Sequence, residues 1–355
     1  MKTNIKLLLA SSGIAIAALG VTPAFAAGTT AGSTITNNVT VNYTVGSVAQ
    51  TAINQSNNIT VDRKINLTVV EVGTATTSIV PGQSAAVTTF TVTNTSNSVL
   101  DLGLTAAQTA GGTAAHGGTD NFDLTGVTMY VDTGTQNGTY EAGTDLAVTY
   151  LDEIAADGAK TIFVVANVPI SRVNGDVANV TLTAQALEGG TASSQGAVVT
   201  QTAGANTAGM DTVFADAAGV ASGDTARDGK HSDDDDYTVS APVLTVTKQS
   251  RIVSDPLNGT TNPKMIPGAT VEYCIVVANA ASAATANSVN IGDTLPTQTT
   301  YDSGYGIFQN GTYTTGTCNL DGTAGGTFSA GAVSGTLGSV AGGTTKTLYF
   351  RVTIN

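Results

Sequence analysis

Apolar and polar residues alternate with a period of two along most of this chain. In the stretch from Thr270 to Asn279, Val271, Tyr273, Ile275 and Val277 fall on one side, and Glu272 lies between them on the other. Such runs recur about every ten residues, separated by clusters of Gly, Asn, Asp and Ser that supply turns. The pattern predicts short antiparallel strands, and past residue 26 no 11–18-residue window shows a helical stripe. The segment Asp152 to Gly158 has room for one short helical turn at most.

The strands repeat as a set. Residues 81–94 (PGQSAAVTTFTVTN) and 267–279 (PGATVEYCIVVAN) both open on Pro-Gly, run into an alternating strand and finish on an Asn. Each is followed by a second signature, beginning at Lys160 and Lys346, at the same distance of 79 positions from the Pro. Each is preceded by a similar opening strand, Ile65 to Val70 and Val243 to Lys248. Two independent signatures at one spacing predict one module used twice. About seven strands per module fit an antiparallel, immunoglobulin-like sandwich. The expected fold class is therefore all-β, with tandem immunoglobulin-like modules over 64–190 and 242–355. Residues 27–63 carry strand signatures but are too few to bury a core alone. They are expected to add a hairpin to the first module, or to offer a strand (28–45) to another subunit's open sheet edge. Residues 191–241, rich in Gly, Ala and Asp, read as an acidic connection.

Composition fits this picture. The 355 residues include 41 Gly and no Trp, and only 11% are charged, so Thr-coated strands suit the chain better than helices. Lys2 and Lys6, the apolar run Leu7 to Gly20 and Ala24-Phe25-Ala26 together read as a signal peptide over residues 1–26. The chain is expected to be exported, with no membrane span in the mature form. Its net charge of −13 disfavours nucleic acid and anionic lipid as partners. The two cysteines, Cys274 and Cys318, are expected to form one disulfide in an exported protein. Closing that loop contributes roughly 3–4 kcal/mol.

The second module resembles the bacterial conserved-repeat domain (DUF11) of secreted and cell-wall proteins. The resemblance rests on Leu244-Thr245-Val246-Thr247-Lys248, Ile266 to Cys274, Asn279, Ser288 to Ile291, and Asp293-Thr294-Leu295-Pro296 followed by Thr300-Tyr301. The first module lacks the D-T-L-P element and fits more loosely. The resemblance implies an immunoglobulin-like sandwich on exported or surface proteins, and no catalytic activity.

Two acidic segments are candidate calcium sites, because Ca²⁺ takes six to eight hard oxygens. One gathers Asp132, Asn137, Glu141 and Asp145, with Asp152 nearby; the plainer alternative is a hairpin turn with Asn137-Gly138 at its tip. The other is the run Asp233, Asp234, Asp235 and Asp236, whose plainer alternative is a solvated acidic loop. Leu295 to Thr299 imitates a wall-sorting signal but lacks its Gly, tail and basic stop, which points the expectation towards a Gram-negative source. No G-x-S-x-G, H-E-x-x-H or P-loop occurs, and neither His116 nor His231 stands in a catalytic spacing. The chain is therefore expected not to be an enzyme. The leading expectation is a structural or adhesive cell-surface protein whose partner is itself or another surface protein, forming a filament or surface layer. The alternative is a soluble calcium- or ligand-binding module.

Overall fold

A computed structural model describes residues 28–109 and 111–355; the predicted signal peptide lies outside the described residues. All regular structure among them is β, in mainly antiparallel sheets. The 152–158 segment has no helical turn. Tyr150–Ile154 is a strand with Glu153 at φ 50°, and a tight turn follows.

The first sandwich faces two five-stranded sheets. One runs Leu146–Ala147, Thr125–Val131, Ala159–Asn167, Ala86–Asn94, Leu67–Glu71; the other runs Tyr150–Ile154, Leu100–Gln108, Val177–Glu188, Lys230–Val239, Thr77–Ile79. Their inner faces bury Leu67, Phe90, Val92, Leu102, Ile162, Val164, Val180 and Leu182 in one core. Tyr237 crosses that core, and its hydroxyl donates to Val164 O at 2.9 Å, so a buried polar group is satisfied by the opposite sheet.

The second sandwich has a main sheet ordered Leu244–Ser254, Thr270–Asn279, Thr345–Ile354, Ile307–Gly311, Thr323–Ala324, with Thr299–Tyr301 also on Thr345–Ile354. Opposite lies a sheet of only three strands, Ala286–Thr294, Ala332–Val340 and Thr327–Ser329. The repeated sequences take equivalent places. Ala86–Asn94 pairs with Ala159–Asn167, and Thr270–Asn279 pairs with Thr345–Ile354. The Asn that ends each repeat is buried and does the same work twice. Asn94 Nδ2 donates to Ser98 O and Ile154 O, and Asn279 Nδ2 to Ala284 O and Val340 O. The disulfide joins Cys274 to Cys318 with S–S 2.02 Å.

The equivalence then stops. In the first sandwich Leu100–Gln108 has neighbours on both sides, Tyr150–Ile154 and Val177–Glu188. Its counterpart Ala286–Thr294 pairs with Ala332–Val340 alone. Val177–Glu188 is joined in turn by Lys230–Val239. This corrects the reading of 191–241 as an acidic connection: Lys230–Val239 within it is a strand of the first sandwich.

Residues 34–60 form a free-standing hairpin. Thr34–Val41 pairs with Ile53–Thr60, and Thr44–Val45 with Val48–Ala49 beyond them. Its base is held where Ala31 N donates to Asn97 O and Asn97 Nδ2 to Thr29 O and Asp62 O.

Candidate functional site

Two features stand out from the scaffold, an apolar groove with an exposed hairpin, and a carboxylate cluster around His116.

Directly opposed residues of an antiparallel pair share a face, and the register sets Ile35 against Ile59, Asn37 against Asn57, Val39 against Gln55, and Val41 against Ile53. One face of the hairpin therefore carries five apolar residues of eight, and the other carries Thr34, Thr36, Asn38, Thr40, Asn54, Ser56, Asn58 and Thr60. Neither face is covered; Ile35, Val39, Val41, Ile53 and Ile59 are all exposed. An isolated two-stranded hairpin of this kind is marginal in water. No charged residue occurs from Thr34 to Thr60, in a chain with 39 charged side chains.

The second sandwich carries an apolar groove. Between the edge strands Leu244–Ser254 and Ala286–Thr294 runs a groove of about 380 Å³ lined by Leu244, Val246, Ile275, Val277, Val289 and Ile291. Lys248 and Asp293 bridge one end at 2.7 Å. In the first sandwich that position is sealed. His231, Asp233 and Asp235 stand opposite Ala184, Leu182 and Val180, whose side chains are buried, so all three point inward. There His231 Nδ1 accepts Val69 N–H at 3.1 Å and Asp233 Oδ2 accepts Glu71 N–H at 2.7 Å, capping the open edge of Leu67–Glu71. Inward-pointing charges are a common device against edge-to-edge pairing. The second sandwich shows apolar side chains at the same place.

The Asp233–Asp236 run thus lies on a strand and not in a solvated loop. Asp is a poor strand former, but here its carboxylates accept amide hydrogens the edge would otherwise leave unpaired. Around its far end the 111–120 loop folds over the strand. His116 N–H donates to Asp236 Oδ2 at 2.8 Å, and Ala115 N–H to Asn179 Oδ1 at 3.1 Å. The imidazole sits among carboxylates: Nε2 is 3.3 Å from Glu71 Oε2, and Nδ1 is 3.7 Å from Asp235 Oδ1 and 3.5 Å from Asp236 Oδ1. Burial pushes the Asp235 carboxyl up to about 7, and burial also raises Glu71. Of the predicted residues, Asp235 and Asp236 belong to this cluster. Asp233 and Asp234 point to Glu71 N and to Asn179 Nδ2 (3.0 Å). Glu71 and His116 were not expected, since 45 and 119 positions separate His116 from Glu71 and Asp235.

The other candidate set, Asp132, Asn137, Glu141 and Asp145, does share one loop. Its carboxylates are aimed at the loop itself. Asp132 Oδ2 accepts Gly138 N–H (2.8 Å), and Asp145 accepts Thr133 N–H (2.9 Å) and Glu141 N–H (2.7 Å). Asn137 Nδ2 donates to Glu141 Oε1 at 3.1 Å. Asp152 lies apart, accepting Ser193 N–H at 2.9 Å.

No protein-family model matches the chain, and no curated protein matches it. Among solved structures, the C-terminal domain of the Streptococcus agalactiae AgI/II polypeptide BspA is similar at 9% identity, over 81% of this chain and 91% of that one, with a TM-score of 0.34. The CupB6 tip adhesin from Pseudomonas aeruginosa is similar at 11% identity, over 82% and 88%, with a TM-score of 0.29. At these values neither likeness bears on partner or activity.

Proposed function

We propose that this is a non-enzymatic, exported cell-surface structural protein that assembles head to tail by strand complementation. The 34–60 hairpin of one copy enters the groove of the next copy's second sandwich. The observation that carries the reading is the pairing of two exposed features on one chain: an antiparallel hairpin with uncovered apolar side chains, and an apolar groove between the edge strands Leu244–Ser254 and Ala286–Thr294.

The chemistry agrees on each side. The groove floor is apolar, and five of the eight side chains on one hairpin face are apolar. An uncharged donor avoids bringing like charge into the contact, which matters between copies of net charge −13. Backbone pairing along Ala286–Thr294 would supply register, and alternate apolar side chains would fill the groove. Donor and acceptor lie on different surfaces, so the contact is heterologous and propagates into a fibre unless rotation closes it.

Negative-stain electron microscopy of the purified full chain, with sedimentation velocity over a concentration series, tests this. Fibres or a growing series of oligomers are expected. A chain that remains monomeric at millimolar concentration refutes the assembly role.

A further inference from the structure

The cluster around His116 has a charge imbalance that hydrogen bonding does not remove. Glu71 at the end of Leu67–Glu71 and Asp233–Asp236 on the facing sheet's Lys230–Val239 gather five carboxylates, and among the described ion pairs the imidazole of His116 is the only basic side chain that meets any of them. Asp236 is fully buried, yet its Oδ1 accepts no hydrogen bond; the buried Nδ1 of His116, which it faces, also has no hydrogen-bond partner. Buried polar atoms left without partners are costly and call for a cause.

We infer that Glu71, His116 and Asp235, which can each offer a ligand atom within 4.8 Å of the other two, bind a divalent transition-metal ion, with the unpartnered Asp236 Oδ1 3.5 Å from the same imidazole. The spacings favour this over a simple imidazolium pair. A charge-assisted N–H···O bond is about 2.7–2.9 Å long. The Nδ1 distances here are 3.5 and 3.7 Å. Ligands about 2.0–2.2 Å from a tetrahedral ion stand roughly 3.3–3.6 Å apart, close to those spacings. Glu71 Oε2, 3.3 Å from Nε2, falls in the same range. One imidazole with carboxylates suits Zn²⁺ or Mn²⁺, whereas Ca²⁺ takes oxygen ligands. The ion would clasp the 111–120 loop to Lys230–Val239 and so lock the strand that closes the first sandwich. This inference is independent of the assembly reading, since it uses no residue of the hairpin or the groove.

The test is calorimetry and thermal unfolding of the untagged, EDTA-stripped full chain with Zn²⁺, and with Ca²⁺ in parallel. One Zn²⁺ per chain is expected, with the melting temperature rising by about 5–10 °C at a hundredfold excess over Kd. Both effects should vanish in His116→Ala and in Asp235→Asn, and Glu71→Gln should weaken binding in the same direction. Asp235→Asn is buried and is the variant most exposed to misfolding, so His116→Ala, in a loop, keeps the test decisive. X-ray absorption at the zinc edge should show a single imidazole among N/O ligands. Absence of stoichiometric Zn²⁺ binding, or binding unchanged in His116→Ala, overturns the assignment. So does an equal response to Ca²⁺ in both the native chain and that variant.

Discussion

Val39→Asp is the perturbation that bears most sharply on the proposed assembly. Val39 stands on the apolar face of the hairpin and is 56% exposed in the single chain, while Ile35, Val41, Ile53 and Ile59 on the same face are 45–55% exposed. Full burial of such a side chain contributes roughly 1.5–3 kcal/mol, so completing it at a half-buried position gives about half that. Five such positions give roughly 4–7 kcal/mol of association. Val39→Asp removes one share and sets a carboxylate against the groove formed by Leu244, Val246 and Val277. The combined loss of about 3–5 kcal/mol weakens self-association on the order of 10²- to 10⁴-fold. Thr36→Asp is the matched control. It adds the same charge on the opposite face of the same strand, opposite Asn58. Both substitutions sit at exposed positions, so each monomer should melt within a degree or two of the native chain. Sedimentation velocity of the three proteins side by side is the assay. Association lost in Val39→Asp and kept in Thr36→Asp is the expected result. Equal association of all three, or equal loss in both variants, refutes the reasoning.

Three further outcomes follow from the scaffold. Asn94→Ala and Asn279→Ala each leave buried carbonyls unpaired, and each should destabilise its own sandwich by about 2–4 kcal/mol in urea unfolding. Reducing Cys274–Cys318 should lower the stability of the second sandwich by roughly 3–4 kcal/mol and leave the first unchanged, as followed by hydrogen exchange. Asp255 accepts the N–H groups of Asn258, Leu257 and Lys264, which lowers its carboxyl to about 2. Its ordinary value is about 3.9, so its contribution is present above that pH and is lost as pH falls through 2. A carboxyl-carbon NMR titration should place its midpoint near 2, and a midpoint near 4 contradicts this.

The alternation in Val271 to Val277 and the 79-residue spacing were enough to give the all-β class and the equivalence of the repeated strands. Each is a local pattern that the pleat enforces. The acidic strand was illegible, because four successive Asp oppose intrinsic strand preference. It is held by long-range partners, Glu71 N and Asn179 Nδ2, that no local pattern encodes. The His116 cluster was hidden for the same reason, since its members come from three distant segments. The hairpin was visible as Thr/Val/Asn alternation. That its apolar side chains stay uncovered, and that an apolar groove runs between Leu244–Ser254 and Ala286–Thr294, became apparent only in the folded chain.

The most direct measurement of the central claim mixes two blocked chains. Val39→Asp disables the donor hairpin and leaves the groove intact. Val246→Glu, at a 64% exposed edge position, disables the groove and leaves the hairpin intact. Each alone should be monomeric by analytical ultracentrifugation. Mixed, they should form a 1:1 heterodimer that grows no further, because one donor and one acceptor remain functional. Failure to pair on mixing, or continued polymerisation of either chain alone, contradicts assembly through this hairpin and this groove.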